Sequence, residues 1–241
     1  MAVHRRASLG PARCLVTGAF LAGALVAASI GSPAPAAAAP VAAMRPPVPP
    51  SLTALESSAE DLVDVALAHD RSRVVAMAGT LASSAGSATG RTLQSAGVPP
   101  ADIAKLRARV AVVARLSHSG PYTSIALASN AVSDVVVTLY ARFADPVPVA
   151  VRRLDYLDRE AQLRSLAGQR KAVVPIVAQL AATWTPLRPG VVGHGGQTVA
   201  AAYGRHVAAM RRLEPAPGGA FRSEAVNGLN IVDELEQVFS R

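Results

Sequence analysis

Apolar residues recur every three to four positions along most of this chain, and that period predicts helices from residue 51 onward. Leu55, Leu62, Val65 and Ala66 share one face, with Glu56, Glu60, Asp61 and Asp64 on or beside the other. Thr53 and Glu56 have the spacing of a capping box, which sets the start of this helix at Thr53. The pattern continues through Val74, Val75, Met77 and Leu81, fades in the small-residue stretch 83–90, and stops at Gly97-Val-Pro-Pro100. Asp102 opens the next helix behind those prolines, and Ile103, Leu106, Val110, Val113 and Leu116 mark its buried side. Near the end, Ile231, Leu235 and Phe239 fall on one face. The β-branched runs at 135–137 and 173–177 lie inside helical periodicity, so no strand is expected.

The centre of the pattern is a helical hairpin over 122–184. Between Pro121 and Phe143 only Asp134 and Arg142 carry charge, so this arm belongs among other helices. Ala144-Asp-Pro-Val-Pro148 stops and restarts the chain, and the second arm spaces arginines and carboxylates along a helix. If the interrupted segments are single rods, the arms 51–97, 101–143, 147–184 and 196–240 predict an all-α antiparallel bundle of four long helices. If every break is a turn, the same residues make about seven shorter helices. The four-rod reading takes Gly120-Pro121 and 215–219 as kinks, and 185–196 as a flexible turn between the third and fourth arms.

Composition adds an address. Residues 1–39 combine Arg5, Arg6 and Arg13, an uncharged apolar run and small residues around Ala34 and Ala39, the layout of a cleaved export signal. Residues 40–50 are a Pro/Ala-rich linker, expected to be extended and mobile, and 51–241 form one helical domain. The expected location is periplasmic or secreted, with membrane contact only through an uncleaved signal. Cys14 is the sole cysteine and lies in that signal, which excludes disulfides and cysteine ligands from the mature chain. The net charge is +8 and nearly all of it is arginine, spread beside acids instead of gathered in a patch, so no nucleic-acid partner is expected.

Two constellations could carry chemistry. Folding the hairpin about Asp145 brings Asn130 and Asp134 of the first arm opposite the second, level with Asp155 and within a turn of Arg152 and Arg159. Asp158 lies about forty degrees from the centre of the apolar face, by helical geometry, and needs a partner or a pocket there. Asn130, Asp134, Asp158 and Arg159 therefore form the candidate ligand-binding set, with an arginine–carboxylate clamp as the structural alternative and an acid–base site on Asp134, Asp158 and Arg159 as the enzymatic one. The second constellation depends on four rods. Mirroring about their connections brings Met77, His118, His206 and Met210, with Lys171, within about two turns of one another by helical geometry, where two imidazoles and two thioethers would suit copper or haem, although Lys171 is a poor neighbour for a cation. Neither a nucleophile elbow nor a phosphate loop is present. The sequence thus predicts a non-catalytic exported helical bundle for a protein or small-molecule partner, with a metal- or haem-binding bundle as the alternative; it names no cofactor.

Overall fold

Proline begins four of the helices. In the computed structural model, which describes residues 45–241, α1 (Pro50–Leu67) and α4 (Pro100–Ser117) carry proline in their first turn. The helices α5 (Tyr122–Tyr140) and α6 (Val149–Leu166) follow Pro121 and Pro148 directly. Proline suits these places because its fixed φ fits a helix start and its missing N–H is one that has no partner there. Glycine serves the other ends: Gly97, Gly168 and Gly195 turn the chain at φ of 77°, 70° and 84° after α3 (Thr89–Ser95), α6 and α7 (Arg170–Gly193). His69 does the same after α1 at φ 61°, where its ring stacks on Tyr122 at 4.6 Å.

The described residues are all-α. The helix α2 (Arg71–Ser83) runs through one π turn, Ser84–Ala88, into α3 without a break, and α8 (Gln197–Leu213) and α9 (Gly219–Phe239) complete the chain. The alternative of about seven shorter helices therefore describes the molecule better than four long rods. Both suspected kinks are turns: α4 packs back on α5 across Gly120-Pro121, and α8 packs back on α9 across 214–218. Arg71 fixes the first of these, donating from Nη1 to the Ser117 carbonyl and from Nη2 to the Gly120 carbonyl, both at 2.7 Å.

These turns create two hydrophobic cores in place of one. In the first, α1, α2, α4 and α5 close a ring of neighbours around Leu55, Leu62, Leu106, Ile125 and Val136. In the second, α6, α7, α8 and α9 close another around Leu154, Leu157, Leu180, Tyr203 and Leu235. The hairpin of α5 and α6 joins them. Helix α5 is long and apolar enough to cross a membrane by length and composition, yet 56% of that window is buried inside the molecule, as a central helix requires.

Two local expectations need correction. Thr53 and Glu56 form no capping box, because α1 starts at Pro50 and no side chain caps it. Residues 45–49 also run along the hairpin loop: the Ala144 N–H donates to the Pro46 carbonyl at 2.8 Å. The expected turn at 185–196 shrinks to His194–Gly196, because α7 continues through Pro175, Pro186 and Pro189. All three prolines face solvent, where water can satisfy the carbonyls they leave unpaired, while Val173, Val177, Leu180, Trp184, Leu187 and Val191 keep an unbroken buried stripe. Burial of that stripe outweighs the lost hydrogen bonds. The export signal expected at 1–39, and the linker up to residue 44, lie outside the described residues.

Candidate functional site

The hairpin arms meet in the register expected from folding about Asp145. The Asn130 amide donates to Glu160 Oε2 at 2.8 Å, and Glu160 also accepts from Arg164 at 2.6 Å. Asp134 pairs with Arg153, the arginine next to the two the sequence suggested. The arginine–carboxylate clamp is therefore present through Asp134 and Arg153, and the Asn130 amide N–H is bonded to Glu160 on the α5–α6 seam. Asn130 Oδ1 is the buried atom of this group that has no hydrogen-bond partner.

Asp158 belongs elsewhere. It points from α6 into the second core and is completely buried. Tyr203 donates its hydroxyl to Asp158 Oδ2 at 2.8 Å, and His206 Nε2 lies 2.8 Å from Oδ1. The other ring nitrogen, Nδ1, lies 2.9 Å from Glu224 Oε1 on α9. Two carboxylates, one facing each ring nitrogen, favour the form of the imidazole that carries a hydrogen on both. Burial alone would lower the His206 pKa, but the Asp158 hydrogen bond and charge, followed by those of Glu224, raise it above the ordinary value. Burial pushes the Asp158 carboxyl up, and its bonds to His206 and Tyr203 oppose this. Gly228 makes room for the cluster, since a Cβ there would lie 2.5 Å from His206 Nε2 and 2.6 Å from Asp158 Oδ2.

This geometry corrects both sequence-derived sites. Asp134 sits on the hairpin seam, Asp158 in the second core and Arg159 in the gap between cores, so no acid–base site joins them. Of the metal set, Met77 packs on the first core, His118 is an exposed residue at the end of α4, and His206 and Met210 lie in the second core. The four-rod level that aligned them does not exist. Among the described residues, no group of three histidine, cysteine or acidic side chains is placed to hold a metal ion.

What the molecule does assemble is a charged cleft between α1, α6 and α9. No Cα of α1 lies within 8 Å of a Cα of α6 or α9, so only side chains cross this gap. It has a volume of about 290 Å³, is partly open to solvent, and is lined by Thr53, Glu56, Ser57 and Glu60 from α1, Arg152, Asp155 and Arg159 from α6, and Val232, Asp233 and Glu236 from α9. Arg152 is the central strut. It pairs at 2.9 Å with Glu56 and at 2.9 Å with Asp145, lies 3.8 Å from Glu236, and stacks over the Tyr140 ring at 4.0 Å. Tyr140 donates to Glu56 Oε2 at 2.6 Å. Deeper along α6, Arg159 reaches Asp155 at 3.5 Å and Asp64 at 3.8 Å.

The charges do not balance. Five carboxylates line the cleft against two guanidiniums. Burial, then the neighbouring Asp155 charge, pushes Glu60 up to about 8 against the pull of Arg159. Glu56, Asp155 and Glu236 are raised as well, each chiefly by burial. Of the residues the sequence singled out as ligands, only Arg159 lines this cleft. The sequence does not single out the others there as ligands, Thr53 and Glu56 having the spacing of a helix cap, and the packing of α9 against α6 is what brings the α6 and α9 walls together. Comparison with known proteins finds no matching family model, no matching curated protein and no matching solved structure.

Proposed function

We propose that this chain is an exported, non-catalytic helical protein that binds a small ligand in the cleft between its two cores, without a nucleic-acid partner. The observation that carries this reading is the state of the cleft walls. The half-buried Glu60 side chain forms no hydrogen bond or ion pair with any described residue, while Asp233 is exposed and the part-exposed Glu236 has the 3.8 Å approach of Arg152, and all three line the half-open cleft. Purely structural charge networks tend to pair their charges, as Glu160 and Arg164 do on the hairpin seam. A charged side chain left unpaired on the wall of a cleft is available to orient a ligand there.

The test is amide NMR on the full chain with separate additions of amines, carboxylates, sugars and divalent metals. At least one class should shift the amides around Glu60, Asp155 and Asp233 in a saturable way. The exposed Ser57 lies on the rim, and Ser57→Trp should abolish those shifts while leaving the rest of the spectrum in place. A cleft that responds to no class, or responds equally with the rim blocked, overturns the reading.

A further inference from the structure

We infer that one end of the α6–α9 bundle, where α6 turns into α7 and α8 into α9, docks on a membrane surface rich in anionic lipid. The surface shares no residue with the cleft, so the inference does not depend on the ligand-binding reading.

Along the sequence these charges stand apart, and membrane contact is expected only through residues 1–39; the fold gathers them. Ser165, on the last turn of α6, donates to the Pro217 carbonyl at 2.6 Å, which holds the turn at 167–169 beside the turn at 214–218. With α6 packed on α7 and α8 on α9, the two turns close one end of the bundle. Arg170 and Lys171 open α7, Arg211 and Arg212 close α8, and Arg222 stands in the opening turn of α9. The side chains of these five cations form no hydrogen bond or ion pair with any described residue. Glu214 is the carboxylate at this end left without a described partner, since Glu160 is held by Arg164 and Glu224 by His206.

Folding does not account for this arrangement. A helix N-terminus carries partial positive charge and disfavours cations, yet Arg170, Lys171 and Arg222 stand in opening turns that contain no acid. A second, independent observation specifies the partner. Leu166 and Val174 are 44% and 50% exposed, the most exposed large apolar side chains among the described residues. Leu166 ends α6, and Val174 lies about one turn into α7. Unpaired cations beside exposed aliphatic side chains match a bilayer interface, where anionic headgroups lie over hydrocarbon. A nucleic acid would leave both aliphatics uncovered and would find no ring to stack on, because Phe221, the aromatic residue at this end, is buried. The last two turns of α9, at the opposite end, carry Asp233, Glu234 and Glu236. Opposite charge at the two ends turns the basic end towards an anionic surface.

The test mixes the full chain, at about 0.1 M salt, with sedimenting vesicles of phosphatidylglycerol and phosphatidylcholine in equal amounts, or of phosphatidylcholine alone. The mixed vesicles should capture the protein, the neutral ones should not, and added salt should release it. Arg170→Gln with Lys171→Gln should weaken capture by about thirtyfold, about fivefold for each charge lost near an anionic surface. Glu214→Gln should strengthen it by about fivefold. Arg188→Gln with Arg241→Gln removes two cations from the opposite end, about 27 Å along α7 in the case of Arg188, and should leave capture unchanged. Lipids with brominated chains should quench the added fluorescence of Leu166→Trp but not that of the parent, whose Trp184 is buried. Equal capture by neutral vesicles overturns the inference. Capture indifferent to the Arg170 and Lys171 substitutions, as binding through residues 1–39 would be, overturns it too. So does an unquenched Leu166→Trp, or tighter binding to duplex DNA than to the mixed vesicles, which would make nucleic acid the partner.

Discussion

His206 Nε2 and Asp158 Oδ1 meet at 2.8 Å where neither side chain touches solvent, and the opposite ring nitrogen faces Glu224. The pair ties α8 to α6, and Glu224 extends the tie to α9. Because the carboxylates raise the folded-state pKa of His206 above its unfolded value, the stability it contributes is complete below that unfolded value. It is lost as pH rises through the folded pKa. Trp184 lies 4.9 Å from Tyr203 and reports on this core, so urea midpoints from its fluorescence should fall from pH 6 towards pH 9. His206→Gln should cost about 3 kcal/mol at pH 6, the usual effect of breaking one half of a buried pair, and should shrink the fall with pH. An equal fall in the variant would show that His206 is not its source.

Gly228 is the space-making residue for the same cluster. Gly228→Ala places a methyl against two polar atoms at 2.5 and 2.6 Å, and neither can retreat without breaking its bond. The expected loss is about 2–3 kcal/mol in denaturant unfolding. By contrast, Gly219→Ala, with open space around its Cβ, should cost no stability in the same measurement.

Glu60 makes the opposite kind of prediction, since its burial is a cost. Its pKa rises from 4.5 to about 8, so the folded state holds a proton that the unfolded state has released across that window. Folding stability should therefore decline from about pH 4.5 to about pH 8 through this group alone and level off above. Glu60→Gln should be more stable than the parent at pH 9 by about 1–2 kcal/mol, after allowing for the screening of its part-exposed carboxylate. A variant less stable than the parent at pH 9 would show that the charge is stabilised by contacts, not strained by burial.

Thr53 and Glu56 separate the local reading from the tertiary one. A capping box would make both substitutions to alanine cost about 1 kcal/mol each. The structure expects Thr53→Ala to cost under about 0.5 kcal/mol, as no cap exists to lose. Glu56→Ala should cost about 2–3 kcal/mol, because it strands the Tyr140 hydroxyl and one arm of Arg152. Chemical denaturation of the two variants decides the matter.

Pro186 tests the helix that ignores its prolines. Its ring is exposed, so Pro186→Ala should restore a backbone donor to the Ala182 carbonyl without disturbing the buried stripe. The expected gain is about 1 kcal/mol with undiminished helical circular dichroism, less than the ~3 kcal/mol proline penalty of a regular helix because α7 already accommodates the ring. Loss of stability would mean that the bend is needed for packing.

How much of this was legible in the sequence depends on how far apart the partners are. The helical period located most of the elements, and the hairpin could be folded about Asp145 from sequence because a short turn forces its arms into register. Asn130 meets Glu160 and Asp134 meets Arg153 for that reason. Asp158 was conspicuous as a carboxylate on an apolar face, but nothing local names its partner, since His206 lies two helices further on. The backbone preferences of Gly120-Pro121 suit a kink and a turn equally, and so do those of the 214–218 stretch. What selected turns was the burial gained when α4 returned on α5 and α8 on α9. That choice divided one expected core into two, scattered the imidazoles and thioethers, and opened a charged gap between α1, α6 and α9. The period of its side chains determined this chain's helices; long-range burial, which no local pattern encodes, decided where its charges meet.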